Sequence, residues 1–119
     1  MGRTNEFTLV ADADFSGKLG CAVKVKAELV HNTPVGTLAG AGEAIDGIVT
    51  DITAGAPQVL AVARIGDIVF GKIGAEVTVA DDLAVDANGA LVKATGDAKV
   101  VAKALATGKK DERIPVIIK

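Results

Sequence analysis

The sequence predicts a small all-β protein: one sandwich or barrel-like domain with at most a short helix and an extended N-terminal arm. Three observations predict it. Short apolar runs recur between turn residues about every ten positions, which is the rhythm of a sandwich or barrel. The chain of 119 residues is one domain by size, long enough to bury roughly two-thirds of its unfolded surface. Fourteen glycines supply turns, and half the residues are hydrophobic, yet only Phe7, Phe15 and Phe70 are aromatic. The core must therefore be made from Val, Ile, Leu and Ala.

Residues 1–20 are the more polar part and read as an arm of the same domain, with residues 21–119 forming its β-rich body. Over 21–29 the odd positions Cys21, Val23, Val25, Ala27 and Leu29 alternate with Lys24, Lys26 and Glu28. Period two predicts a strand with one buried and one wet face. The stretch HNTPVGTLAGAGEA that follows reads as a loop, with Pro34 as turn former. AIDGIVTDI and QVLAVARI, separated by the turn TAGAP, read as strands, the second nearly continuously apolar and so expected to be covered on both sides. Gly66-Asp67 between QVLAVARI and DIVFGKI is a hairpin signal, and AEVTV at 75–79 alternates again. Residues 98–106 fit a helical stripe of Ala98, Val101, Ala102 and Leu105, but the bounding Gly96 and Gly108 favour a strand. ERIPVIIK is a β-branched run whose Pro115 lacks an N–H, predicting a strand that starts late or lies at an edge.

VTVADDLAVDANGALVKA resembles a calcium loop at first sight. With Gly89 at the loop glycine, Asn88 and Asp86 occupy ligand positions, but the first position is Ala84 and the twelfth Thr95. Both anchoring carboxylates are missing, and the flanks read as extended rather than helical. Asn88-Gly89 is instead the preferred pair for a type I′ turn between LAV and ALV, with Asp81-Asp82 at the preceding turn. No metal ligand is assigned.

Other chemistry finds no support. A net charge of −2 and the lack of Trp and Tyr argue against nucleic-acid binding. No apolar run approaches a membrane span, and MGRTNEFTLV has no signal core. Phosphate-loop, nucleophile-elbow, paired-cysteine and zinc-protease motifs are absent. Cys21 falls in the buried phase of its strand and reads as a small core hydrophobe, with His31 its only conceivable histidine partner. His31 reads as an exposed loop residue. Asp12 and Asp14 lack an identifiable partner acid or base, and Lys109, Lys110, Asp111, Glu112 and Arg113 form a mixed-sign solvated run. The expectation is a protein without catalytic, cofactor-binding or metal residues.

The order of segments resembles a family of small capsid cement, or head decoration, proteins of tailed phages and prophages. The resemblance begins at LVADADFSGKLGCAVKV, continues through AGEAIDGIVTDITAGAPQVLAVARIGDIVF and VTVADDLAVDANGALVKA, and closes with VVAKALATG and IPVIIK. The chain departs from that pattern at Leu19, Gly20 and Cys21, where tyrosines are frequent, and at Lys103, where a glycine is common. The resemblance implies a tulip-like β body, often a homotrimer, on the capsid exterior of the virion, assembled from the host cytoplasm. It would decorate the shell and stabilise contacts between major capsid protein subunits. The alternative is a small ligand- or carbohydrate-binding β module without catalytic activity. Partner contacts are expected near residues 1–18 and the 31–44 loop.

Overall fold

The computed structural model describes residues 7–55 and 57–119, and these form ten strands without a helix. Strands β1 (Phe7–Ala11), β2 (Ala22–Val30), β3 (Thr33–Leu38), β4 (Gly47–Ile52) and β5 (Val59–Ala63) close into a barrel in the order β1-β3-β2-β4-β5. Strands β6 (Ile68–Lys72), β7 (Asp82–Val85), β8 (Leu91–Lys93), β9 (Ala102–Ala104) and β10 (Arg113–Ile118) form an open sheet in the order β6-β10-β9-β7-β8. The all-β expectation is met, in the form of a barrel with a sheet laid against its wall.

Closure depends on the segment expected to be an arm. β1 runs parallel to β3, pairing Val10 with Val35, and antiparallel to β5, pairing Leu9 with Leu60. Phe15 is buried as well, so from Phe7 onward the arm is part of the body; residues 1–6 lie outside the described residues. The polar turn 12–14 masks two short apolar runs on either side, which is why the stretch reads as loose. Leu9, Ala11, Phe15, Val23, Val49, Leu60 and Val62 fill the barrel lumen.

A second core lies between barrel wall and sheet. Ala22, Ile48 and Ala63 from the barrel meet Leu83, Val85, Leu91, Ala102, Ala104, Ile114, Val116 and Ile118. Gly47–Val49 is therefore the strand segment buried on both sides, whereas Val59 and Ala61 of β5 keep partial exposure. At about 1.5–3 kcal/mol for each fully buried large aliphatic side chain, these two layers carry the fold with Phe15 as their one fully buried aromatic among the described residues.

Several local expectations are revised. The alternation of β2 buries only as far as Val23; Val25, Ala27 and Leu29 are exposed because the strand outruns the barrel and is bulged between Lys26 and Leu29. The stretch after it holds β3, which contains Pro34, and the reversal is the two-residue turn His31-Asn32, with φ of 50° and 63°. That is a type I′ turn. At Asn88-Gly89 only Gly89 has positive φ; its N–H donates to the Asp86 carbonyl at 3.2 Å, and the Asp86 N–H donates to Ala90 O at 2.8 Å. The β7–β8 hairpin is present, closed by a three-residue loop with a glycine bulge. Gly66-Asp67 turns the chain between the two sheets instead of making a hairpin, because β6 pairs with β10. AEVTV contributes one isolated bridge, Val77 to Gly108, its neighbours being drawn into turns.

Residues 102–104 are strand, settling the helical alternative. β10, however, is central and not an edge. Its Pro115 is tolerated because the carbonyl of Pro115 accepts from Leu105 just past the end of β9. The missing N–H points to that same vacated side.

Candidate functional surface

The acid-rich loop is explained by its own backbone. Asp86 Oδ1 accepts the N–H groups of Asn88 at 2.8 Å and Ala90 at 3.0 Å, and Asp81 Oδ2 accepts Thr78 N–H at 2.9 Å. Each carboxylate holds a turn. Among the described residues, no three of His, Cys, Asp and Glu come together in a metal-holding group. A recess of about 240 Å³ beside this loop is lined by Lys18, Lys72 and Lys110 as well as by Asp86 and Asp111, with Cys21 at its base. Burial pushes the Cys21 thiol above its ordinary pKa, against the pull of Lys72 and Lys18. The thiol stays protonated near neutral pH and is a poor nucleophile.

The remaining sequence candidates are dispersed. Asp12 lies 3.6 Å from Lys26 Nζ; Asp14 accepts Ser16 N–H at 2.9 Å, and hydrogen bonds from Ser16 hold its carboxyl below the usual value. His31 sits at the exposed tip of the β2–β3 hairpin. Residues 109–113 are all exposed, with Glu112 Oε1 capping Lys109 N–H at 2.7 Å.

What the sequence reading did not single out is the outer face of the second sheet. Its inner face takes Val69, Gly71, Ile114, Val116, Ala102 and Ala104, so the alternate residues point outward. Register then aligns Ile68 with Ile117, and Phe70 with Pro115, on one face. Leu105, whose N–H donates to Pro115 O, extends the second row. Ile68 and Phe70 are 64% and 65% exposed and Leu105 40%. Phe70 is thus the aromatic residue left outside. Around the patch stand Lys72 paired with Arg113, and Lys103 opposite Ile117. None of these three cations is ion-paired among the described residues, although Lys72 Nζ donates to Gly17 O at 3.2 Å. Beyond them Asp82, opposite Lys103, lies 3.9 Å from Lys119 Nζ. Alongside β6 a groove of about 510 Å³ runs between Leu19, Val49, Val69, Phe70 and Arg113. A signal was present in DIVFGKI, where both phases of the alternation are apolar, one more than a single buried face requires.

A second apolar area lies at Phe7, Val25 and Ile65. Of the stretches expected near partners, 7–11 and 33–38 are strands of the barrel wall. No helix among the described residues is long and apolar enough to cross a membrane.

No protein-family model and no curated protein sequence matches the chain. Among solved structures the chain is similar to the N base of the head fibre gp8.5 of bacteriophage phi29, with a TM-score of 0.76 and 14% sequence identity. The match covers 98% of this chain and 95% of that one, so the whole barrel-and-sheet body is shared as a fold.

Proposed function

We propose that the protein is a virion structural component that decorates the outer surface of a phage capsid and stabilises contacts between major capsid protein subunits. It acts as a homotrimer, without catalytic activity or cofactor. The observation that carries this reading is the end-to-end likeness to a phage head-fibre base. The surface supports it: the molecule offers no assembled acid–base or nucleophilic site among its described residues, but displays apolar side chains on a rigid sheet. Exposed apolar patches of this kind mark protein contacts. Many copies bound to a symmetric shell gain by multivalency, so modest single contacts suffice.

Purified protein added to expanded, undecorated capsids should occupy discrete symmetric positions by electron microscopy and raise the shell's melting temperature. Failure to bind any capsid form ends the reading. Light scattering tests the trimer, and the melting temperature of the free protein should rise with its concentration. The Phe70 groove is the feature that favours a ligand-binding module instead. A glycan-array signal abolished by Phe70→Ala would establish that alternative.

A further inference from the structure

We infer that the outer face of the β6–β10–β9 sheet is a docking surface for a different protein, one presenting an apolar anchor within an acidic rim. The inference deepens the capsid reading by naming the face and the chemistry of the partner. Its centre is Ile68, Phe70, Pro115, Ile117 and Leu105, placed side by side by the register of three strands. Its border carries Lys72, Arg113 and Lys103, none in an ion pair among the described residues, and Lys119, which lies 3.9 Å from the carboxylate of Asp82. This border lies on a chain whose net charge is −2, so the cations are concentrated against the overall balance. The groove beside β6 gives an anchor somewhere to enter.

Charge disfavours this face meeting its own copy. Two copies meeting through this face about a two-fold axis would set Lys72, Arg113 and Lys103 against their own counterparts, around an apolar centre that excludes screening water. An acidic partner gains from the same arrangement, in steering as well as in register. The apolar pairs then supply the buried centre and the cations the rim.

Two variants of the full chain test this, Phe70→Ser and the double change Lys72→Glu with Arg113→Glu. Phe70 and Arg113 are exposed and Lys72 is half-exposed, and circular dichroism checks that both variants keep the fold. The first probe is a peptide of alternating Leu and Glu, with its Leu/Lys counterpart as control, followed by amide NMR shifts. The Leu/Glu peptide should shift amides of β6, β10 and β9, and bind at least about tenfold more weakly to either variant. Equal binding of both peptides overturns the inference. The second probe is the undecorated capsid. Loss of occupancy in both variants, with wild-type binding weakened at about 0.5 M salt, supports it. Occupancy unchanged in both variants overturns the face while leaving the capsid reading intact. Selective peptide binding at this face without any capsid binding retains the face and removes the capsid reading. A wild-type trimer that either variant dissolves assigns the face to a second copy and overturns the inference.

Discussion

The single carboxylate of Asp86 shows how much local structure one side chain fixes. It collects two backbone N–H groups that have no strand partner in the tight β7–β8 loop. Asp86→Ala should therefore cost about 1–3 kcal/mol in urea unfolding, and Asp86→Asn, which keeps an acceptor at the same place, clearly less. Calcium should leave the melting temperature of the wild type unchanged, since that carboxylate is already engaged by the backbone. Glu43 makes a pH-dependent counterpart. The Lys24 ammonium at 2.8 Å, and then the Gly40 N–H, hold its carboxyl below the ordinary 4.5. A carboxyl depressed in the folded state contributes stability above its unfolded pKa and loses it as pH falls through the folded value. Stability should thus decline on acidification below about pH 4.5. Glu43→Gln should flatten that part of the profile, as read by denaturant midpoints across pH. Cys21, buried and raised, should resist maleimide at pH 8 until the protein is unfolded.

Hairpins divide the readable from the unreadable at the level of elements. The β2–β3 reversal uses His31 and Asn32, both with positive φ, where a left-handed conformation costs an ordinary L-residue about 1–2 kcal/mol. Asn32→Gly should accordingly stabilise the protein slightly and Asn32→Ile destabilise it by about 1 kcal/mol or more, measured by chemical denaturation. The sequence reading gave that turn type to Asn88-Gly89, because the pair has the stronger intrinsic preference. In the fold Asp86 captures the loop first and leaves only Gly89 left-handed. Strand segments with unbroken β-branched runs, such as GIVTDI and PVIIK, were legible as strands. Short ones interrupted by proline or glycine, TPVGTL above all, were not. What β3 lacks in local propensity is supplied by backbone pairing on two sides, with β1 and β2. The apolar outer face shares that fate. Ile68 and Phe70 are visible as residues, but only the pairing with Ile117 and Pro115 makes them a surface.

Which strand joins which sheet is the property of the whole molecule, and no local signal encodes it. The chain crosses at Gly66-Asp67 from barrel to open sheet, and the sheet is then sewn to the barrel by backbone bonds far apart in sequence. The Lys72 N–H donates to Gly20 O, Ala22 N–H to Gly89 O, and Gly42 N–H to Val85 O. Barrel residues Ala22, Ile48 and Ala63 also complete the core beneath the second sheet, so the sheet has no closed apolar interior without the barrel, and the barrel wall buries these residues only with the sheet in place. Such shared burial makes the two layers one cooperative unit. Leu60→Ala in the lumen and Leu83→Ala under the sheet, both at fully buried positions, should each cost about 2–5 kcal/mol. Each should do so in a single transition seen alike by far-UV circular dichroism and by amide exchange in both sheets. In particular, Leu60→Ala should lower protection at Leu91, although Leu91 belongs to the other core cluster. Two separated transitions, or a barrel mutation that leaves the sheet's exchange untouched, would mean that the interface is a docking of independent layers. A stiff body that moves as one piece is what a protein needs if a single exposed face is to hold a partner in register. The coupling of the two cores is therefore the physical precondition for the docking role proposed for Ile68, Phe70 and their neighbours.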